Sequence, residues 1–298
     1  MSGKIRFAPS PTGYLHEGHL LSALYVWAAA QKWNLQIHLR IEDHDQSRAR
    51  PEYIQSIFED LSWFGFKWDS ESIQSKRGPI YEKALAKLQS QNLVYPCYCS
   101  RKQLEAENPR SETGEIIYSG KCFKGFKEGY MGLKKGDDGA KEQAHNLRVI
   151  IPDKLIQWHD ARLGDFIENP KHQCGDFPIR DRDNQWTYQF AVCVDDMDEG
   201  ITHIVRGEDI RNSTARQIAL MQLLGQKERP LYLHHPLIVD STGKKLSKRE
   251  MAHSLRQDKE IGKSAQELLG RVCFKAKMQP LEAPISLEQA ISLTSSQL

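Results

Sequence analysis

Nowhere in its 298 residues does the chain approach the roughly 18 consecutive apolar residues of a membrane span, and no apolar run behind positive charge opens it. The expectation is a cytoplasmic protein with no membrane contact. Charge of one sign is also missing: 41 Lys and Arg stand against 39 Asp and Glu, so a face for nucleic acid has to be a local patch. Cysteine is sparse. Cys97, Cys99 and Cys122 cluster while Cys174, Cys193 and Cys273 are scattered, a pattern unlike a secreted disulfide framework, and the scattered three read as inert. Around the first predicted strand and helix there is neither a G-x-x-x-x-G-K-[ST] loop nor a G-x-G-x-x-G turn, so a nucleotide there is held by another device. Internal repeats are absent. What remains is the composition of an ordinary globular protein, long enough for two or three domains.

The first elements are strand, turn and helix. Ile5, Phe7 and Ala8 read as a strand end, Pro9 and Pro11 stiffen a turn, Gly13 permits unusual dihedrals, and the apolar run from Leu20 to Ala30 has helical period. Helix starts leave N–H groups unpaired, and His16 and His19, three apart, share a face beside them. An anion site and a plain cap both fit. Leu35, Ile37, Leu39 and Ile41 then alternate as a strand ending in Glu42, Asp43 and Asp45, at the end where open α/β sheets place ligands. A helix follows from Pro51 to a stop at Gly65, and another from Tyr81 to about Gln91.

From Pro96 to about Leu147 the chain turns polar and weakly periodic. Strand-like runs come at 147–151, 164–167 and 186–194, then a strand at 201–205, a helix at 212–224, a strand at 231–239 and terminal helices with little core of their own. The resulting fold class is α/β: a doubly wound, mostly parallel sheet. Its halves are residues 1–95 and 191–240, an inserted module occupies 96–190, and a basic loop with a short helical segment fills 241–298.

Cys97, Cys99 and Cys122 offer three soft ligands where tetrahedral zinc takes four. No histidine lies between Cys99 and Cys122; Tyr118, four residues before Cys122, completes a set if the metal lowers its pKa. Free thiols are the alternative. A filled set of four protein ligands makes the ion structural, since no position is left for a catalytic water.

Lys244 to Arg249, KKLSKR, puts four cations in six residues, by itself a solvated patch. Together with HEGH at His16 to His19, however, KLSKR at Lys245 to Arg249 resembles the KMSKS loop that partners the HIGH element in class I aminoacyl-tRNA synthetases. RFAPSPTG from Arg6, RIEDHD from Arg40 and IVRGEDI from Ile204 are similar to segments of the glutamyl branch. Only Glu250 to Leu298 follow the basic loop, too few for the long helical anticodon domain of that branch, so the likeness is to its truncated paralogues, whose zinc site is similar to Cys97, Cys99, Tyr118 and Cys122.

The resemblance implies a Rossmann-like catalytic domain split by a zinc-containing, acceptor-binding-like module. It implies a glutamate pocket of Arg6, Ser10, Glu42, Tyr188 and Arg206, and ATP contacts from His16, Gly18, His19 and Lys248, with Lys245 and Lys248 stabilising the charge of departing pyrophosphate. The implied substrates are L-glutamate, ATP with Mg²⁺, and tRNA(Asp) carrying queuosine, served by a monomer. Two rivals remain: a short enzyme charging the tRNA 3′ terminus, and a silent paralogue that only binds amino acid or tRNA. Two departures stand out. Glu17 replaces an apolar residue, harmless if it faces away but opposed to phosphates if it turns inward, and Arg249 replaces a small one.

Overall fold

The computed structural model describes residues 3–127, 144–239 and 254–298. The chain enters through β1 (Lys4–Phe7), turns at Pro9 and Pro11, and continues as α1 (Glu17–Trp33), β2 (Gln36–Ile41), α2 (Pro51–Phe64), β3 (Ser70–Ile73) and α3 (Gly78–Ser90). Pro51 sits in the first turn of α2, where its missing N–H leaves no bond unmade, and Gly65 ends the helix at φ 89°, a left-handed conformation. Then come β4 (Val94–Cys97), α4 (Arg101–Glu107), α5 (Lys121–Lys127), β5 (Asn146–Val149), β6 (Ile156–Asp160), β7 (Gly164–Glu168), α6 (Pro170–Gln173) and β8 (Pro178–Arg180). The remainder is α7 (Tyr188–Asp198), β9 (His203–Gly207), α8 (Thr214–Leu223), β10 (Leu231–His235), α9 (Leu255–Glu260), α10 (Ala265–Lys275) and α11 (Leu287–Ser295). Among the described residues no helix is long and apolar enough to cross a membrane.

Seven strands form one sheet in the order β3-β2-β1-β9-β10-β6-β7, parallel throughout except for the antiparallel edge pair β6 and β7. Strand alternation sends neighbouring side chains to opposite faces. Val205 and Leu233 pack with Leu24 of α1, Ile57 of α2, Leu268 of α10 and Ala290 of α11; Ile204 and Tyr232 pack with Leu85 of α3, Phe190 of α7 and Ile218 of α8. Helices therefore cover both faces, as expected of a doubly wound sheet, and each fully buried Leu, Ile or Phe contributes roughly 1.5–3 kcal/mol.

Several sequence expectations change. Residues 186–194 are not a strand: Phe190 to Val194 are all buried within α7, and an apolar run buried on every side carries no period to separate helix from strand. β3, with the polar sequence SESI, gives no apolar signal yet pairs with β2 at the sheet edge. The terminal helices have more core than expected, because Leu268, Leu269, Val272 and Cys273 of α10 join the cluster around α1. Gly13 adopts no left-handed conformation. Residues 96–190 contribute to both sheets: β4, β5 and β8 form a separate antiparallel sheet, while β6 joins the large one beside β10.

Candidate active site

The chain winds outward from β1 toward β3 in one direction and from β9 toward β10 in the other, so β1 and β9 flank a topological switch point, where open α/β sheets leave a crevice. There, at the carboxyl ends of the strands, lies a cavity of about 100 Å³ whose lining includes Arg6, His19, Ser22, Glu42, Tyr188 and Arg206. Arg6, Glu42, Tyr188, Arg206 and His19, named from the sequence, thus meet in one place. Ser10, His16 and Gly18 belong to the adjoining turn and helix start and do not line the cavity. Lys245 and Lys248 lie outside the described residues.

Two arginines face the cavity on different footings. Arg6 Nε donates to Asp196 Oδ1 at 3.0 Å, so its charge is already answered. Arg206 is 5% exposed and donates from Nε to His234 Nε2 (3.1 Å), from Nη1 to Gln217 Oε1 (2.6 Å) and from Nη2 to Thr214 Oγ1 (2.9 Å). Among the described residues these hydrogen-bond partners are neutral. For His234 to accept at Nε2 its proton must sit on Nδ1, which lies 2.6 Å from Asp160 Oδ2. Burial, reinforced by Arg206, keeps the His234 pKa low despite Asp160, so the imidazole stays neutral.

Glu42 stands at the end of β2, its Oε1 held by Arg40 at 3.2 Å, and burial lifts its pKa against the pull of Arg40. Arg40 is itself fully buried and pairs with Asp196 and Glu199, each at 2.8 Å. Burial opposes the charge on Arg40, yet the surrounding carboxylates hold it firmly protonated. Burial likewise works against Glu199, but His38 and Arg40 hold its pKa well below the carboxylate range. Arg77 closes the lattice on Asp195 at 2.6 Å. Asp195 and Asp196 belong to no motif named from the sequence, and Arg40 enters there only as the first residue of RIEDHD, with no sign of this buried ion-pair network beneath the cavity. The VDDMDE run after an apolar stretch was the available signal, because acids so close to a core need buried cations.

The two histidines cap each other. His16 is the N-cap of α1 and its Nδ1 accepts from Gly18 N–H at 3.1 Å, while His19 Nδ1 accepts from His16 N–H at 3.2 Å. This pair repeats the geometry of a capping box with imidazoles. Burial, followed by the neighbouring His16, lowers the His19 pKa to about 3. Such a ring is neutral in the folded protein but takes a proton near pH 6.5 when unfolded, so its contribution is present above 6.5 and is lost as pH falls toward 3. His19 is therefore expected to add about 1.4 kcal/mol per pH unit to acid destabilisation between those limits. Thermal melts from pH 7 to 5 should show a shallower decline for His19→Asn, and an identical slope would contradict the neutral ring.

A second cluster sits at the end of β4. Cys97, Cys99 and Cys122 place their sulfurs within 4.8 Å of one another, with 3.5 Å between Cys99 and Cys122. Tyr118 Oη lies 3.6 Å from Cys97 Sγ and 3.9 Å from Cys99 Sγ. A tetrahedral ion with Zn–S bonds of about 2.3 Å separates its sulfurs by about 3.8 Å, so the donor set fits zinc. Burial opposes ionisation of Cys97, but the Arg148 guanidinium together with hydrogen bonds from Tyr118 and the Cys99 backbone lowers its pKa. Burial and the hydrogen bond with Cys122 push Cys99 up to about 12. The backbone makes room for the tyrosine: a Cβ on Gly175, which has φ +66°, would lie 2.3 Å from the Tyr118 carbonyl oxygen. Cys174, Cys193 and Cys273 are buried apart from this cluster.

Residues 4–281 match the family of tRNA synthetases class I (E and Q), catalytic domain, and the chain belongs to that family, a ligase by class. It is 41% identical over 251 residues to the glutamyl-Q tRNA(Asp) synthetase of Neisseria meningitidis serogroup C, covering 84% of this chain and 81% of that protein. The glutamyl-Q tRNA(Asp) synthetase of Nitratidesulfovibrio vulgaris is 35% identical over 302 residues, covering 98% of this chain and 91% of the relative. In three dimensions the chain is similar to a glutamate tRNA ligase from Elizabethkingia meningosepticum crystallised in complex with its amino acid, with a TM-score of 0.74 at 25% identity. That match covers 99% of this chain, which spans 66% of the length of the solved one.

Proposed function

We propose that the protein activates L-glutamate with ATP and transfers the glutamyl group to queuosine in the anticodon of tRNA(Asp), in the cytoplasm. The observation that carries the amino-acid half is Arg206: a buried guanidinium held by neutral groups leaves its charge for a ligand carboxylate, and such a charge is costly until the ligand arrives. Glu42, across the same cavity, offers a carboxylate to the substrate ammonium, and Arg6, Ser10 and Tyr188 complete the proposed pocket. A cavity with both signs of charge suits an amino acid bearing an extra carboxylate.

In the first step glutamate's carboxylate attacks the α-phosphorus of ATP and pyrophosphate leaves, so the protein positions reactants and supplies electrostatics without a covalent enzyme intermediate. His16, Gly18 and His19 are proposed to meet ATP, with Lys245 and Lys248 at the pyrophosphate; Mg²⁺ bound with the nucleotide would offset phosphate charge. The names of the relatives support queuosine as acceptor. We further assign Cys97, Cys99, Tyr118 and Cys122 to structural zinc within a module at 96–190, set between catalytic halves 1–95 and 191–240, with the basic loop and helical segment at 241–298.

The test joins two assays. Pyrophosphate should exchange into ATP with glutamate alone among the amino acids, without added tRNA, and labelled glutamate should then pass to tRNA(Asp) only when it carries queuosine. Equal labelling of queuosine-free tRNA(Asp) would favour charging of the 3′ terminus, and no exchange under any condition would favour a silent binder.

A further inference from the structure

Glu17 is the first residue of α1, directly after the capping His16. An acid in the first turn suits the helix dipole, but beside a triphosphate it repels a ligand of its own sign. Its carboxylate does not turn toward the cavity. Lys275 Nζ of α10 lies 2.9 Å from Oε1 and 2.7 Å from Oε2, and Arg271 Nε, one turn earlier on the same helix, lies 2.7 Å from Oε1. The carboxylate is largely shielded, with 14% of the side chain exposed. Arg271 is fixed from its other end by Asp258 of α9, to which Nη1 donates at 3.2 Å and Nη2 more closely. The backbone ties the same parts together: Leu255 N–H at the start of α9 donates to the carbonyl of Leu15, just before the caps, at 2.9 Å.

We propose that Arg271 and Lys275 neutralise Glu17 and so keep the start of α1 receptive to the phosphates of ATP, which makes α10 a positioning element of the nucleotide site; this rests on the nucleotide role given to α1 above. Two cations on consecutive turns of one helix converge on a single carboxylate, while the shared Asp258 holds the arginine head in place. The terminal helices then have a task beyond covering the sheet. They answer a charge that the residue in the HEGH element introduces.

The test measures ATP affinity by calorimetry, without glutamate or tRNA, so an error in the proposed amino acid or acceptor leaves its outcome intact. In Arg271→Gln/Lys275→Gln the released Glu17 should weaken ATP about tenfold, within the range of a like-charge contact beside a ligand. Adding Glu17→Gln to that pair should restore the affinity. A merely structural clamp predicts the opposite, since glutamine at position 17 cannot rebuild the ion pairs. Unchanged affinity in the double variant, or no restoration in the triple, overturns the proposal. Should the double variant not fold, Lys275→Gln alone, at a partly exposed position, must weaken ATP and be restored by Glu17→Gln, with failure of either overturning the proposal. Absence of ATP binding in the unaltered protein would overturn the nucleotide role of α1 and the clamp with it.

Discussion

Arg206→Gln should lower kcat/KM for glutamate in pyrophosphate exchange by about 30- to 4,000-fold while leaving ATP affinity within a factor of two. Removing one member of a buried, hydrogen-bonded charge pair costs roughly 2–5 kcal/mol, and the substrate carboxylate is the proposed second member. The same substitution should not reduce the thermal midpoint in the absence of glutamate. In the free protein Arg206 rests on His234, Gln217 and Thr214, so replacing it removes a buried charge rather than breaking an ion pair. Arg6→Gln provides the contrast: it breaks a buried ion pair of 3.0 Å with Asp196, which is left to Arg40, and should lower both activity and stability. A kcat/KM for Arg206→Gln within threefold of the parent would remove Arg206 from the proposed glutamate site.

The second large effect is expected at the cysteine cluster. Metal analysis should find about one zinc per chain, and Cys97→Ser should release it and lower the thermal midpoint by about 5–10 °C, at roughly 2–4 °C per kcal/mol for a chain of this size. The cluster is placed to matter mechanically. Cys97 ends β4, Cys122 lies in α5, and the Tyr118 backbone N–H donates to the Cys174 carbonyl at 3.0 Å, so an ion held by the four side chains would tie the small sheet to the segment before β8. Tyr118→Phe separates the two possible roles of the phenol. It should weaken zinc retention against a chelator if the oxygen is a ligand, and leave retention unchanged if the tyrosine serves only as packing. A folded, metal-free preparation with an unaltered midpoint would remove zinc from the structure.

Much of the architecture was legible because its signals are local. β1, the proline turn and α1 announce themselves by a change of period between Phe7 and Leu20, and α2 by Pro51 and Gly65 at its two ends. Where burial is uniform, periodicity fails: the stretch now seen as α7 read as a strand because Phe190 through Val194 are apolar and all inside. β6 could not be assigned to the large sheet either, since its pairing with β10 joins Asp160 to Tyr232 across dozens of intervening residues. The residues of the proposed glutamate pocket belong to a third kind. Arg6, Glu42, Tyr188 and Arg206 come from well-separated parts of the sequence, and taken singly each reads as an ordinary surface or packing residue. Only resemblance grouped them before the fold did.

By itself the sequence determined the alternating elements of an α/β chain, the spacing of three cysteines and a tyrosine, and the family of the HEGH and KLSKR elements, because each is written in neighbouring residues. Tertiary structure decided which charges are answered. Arg6 is neutralised by Asp196 while Arg206 rests on neutral groups, and Glu17, an oddity in the sequence, is held by Arg271 and Lys275 more than 250 positions later. Electrostatic strength depends on distance and burial in space, to which separation along the chain gives no guide.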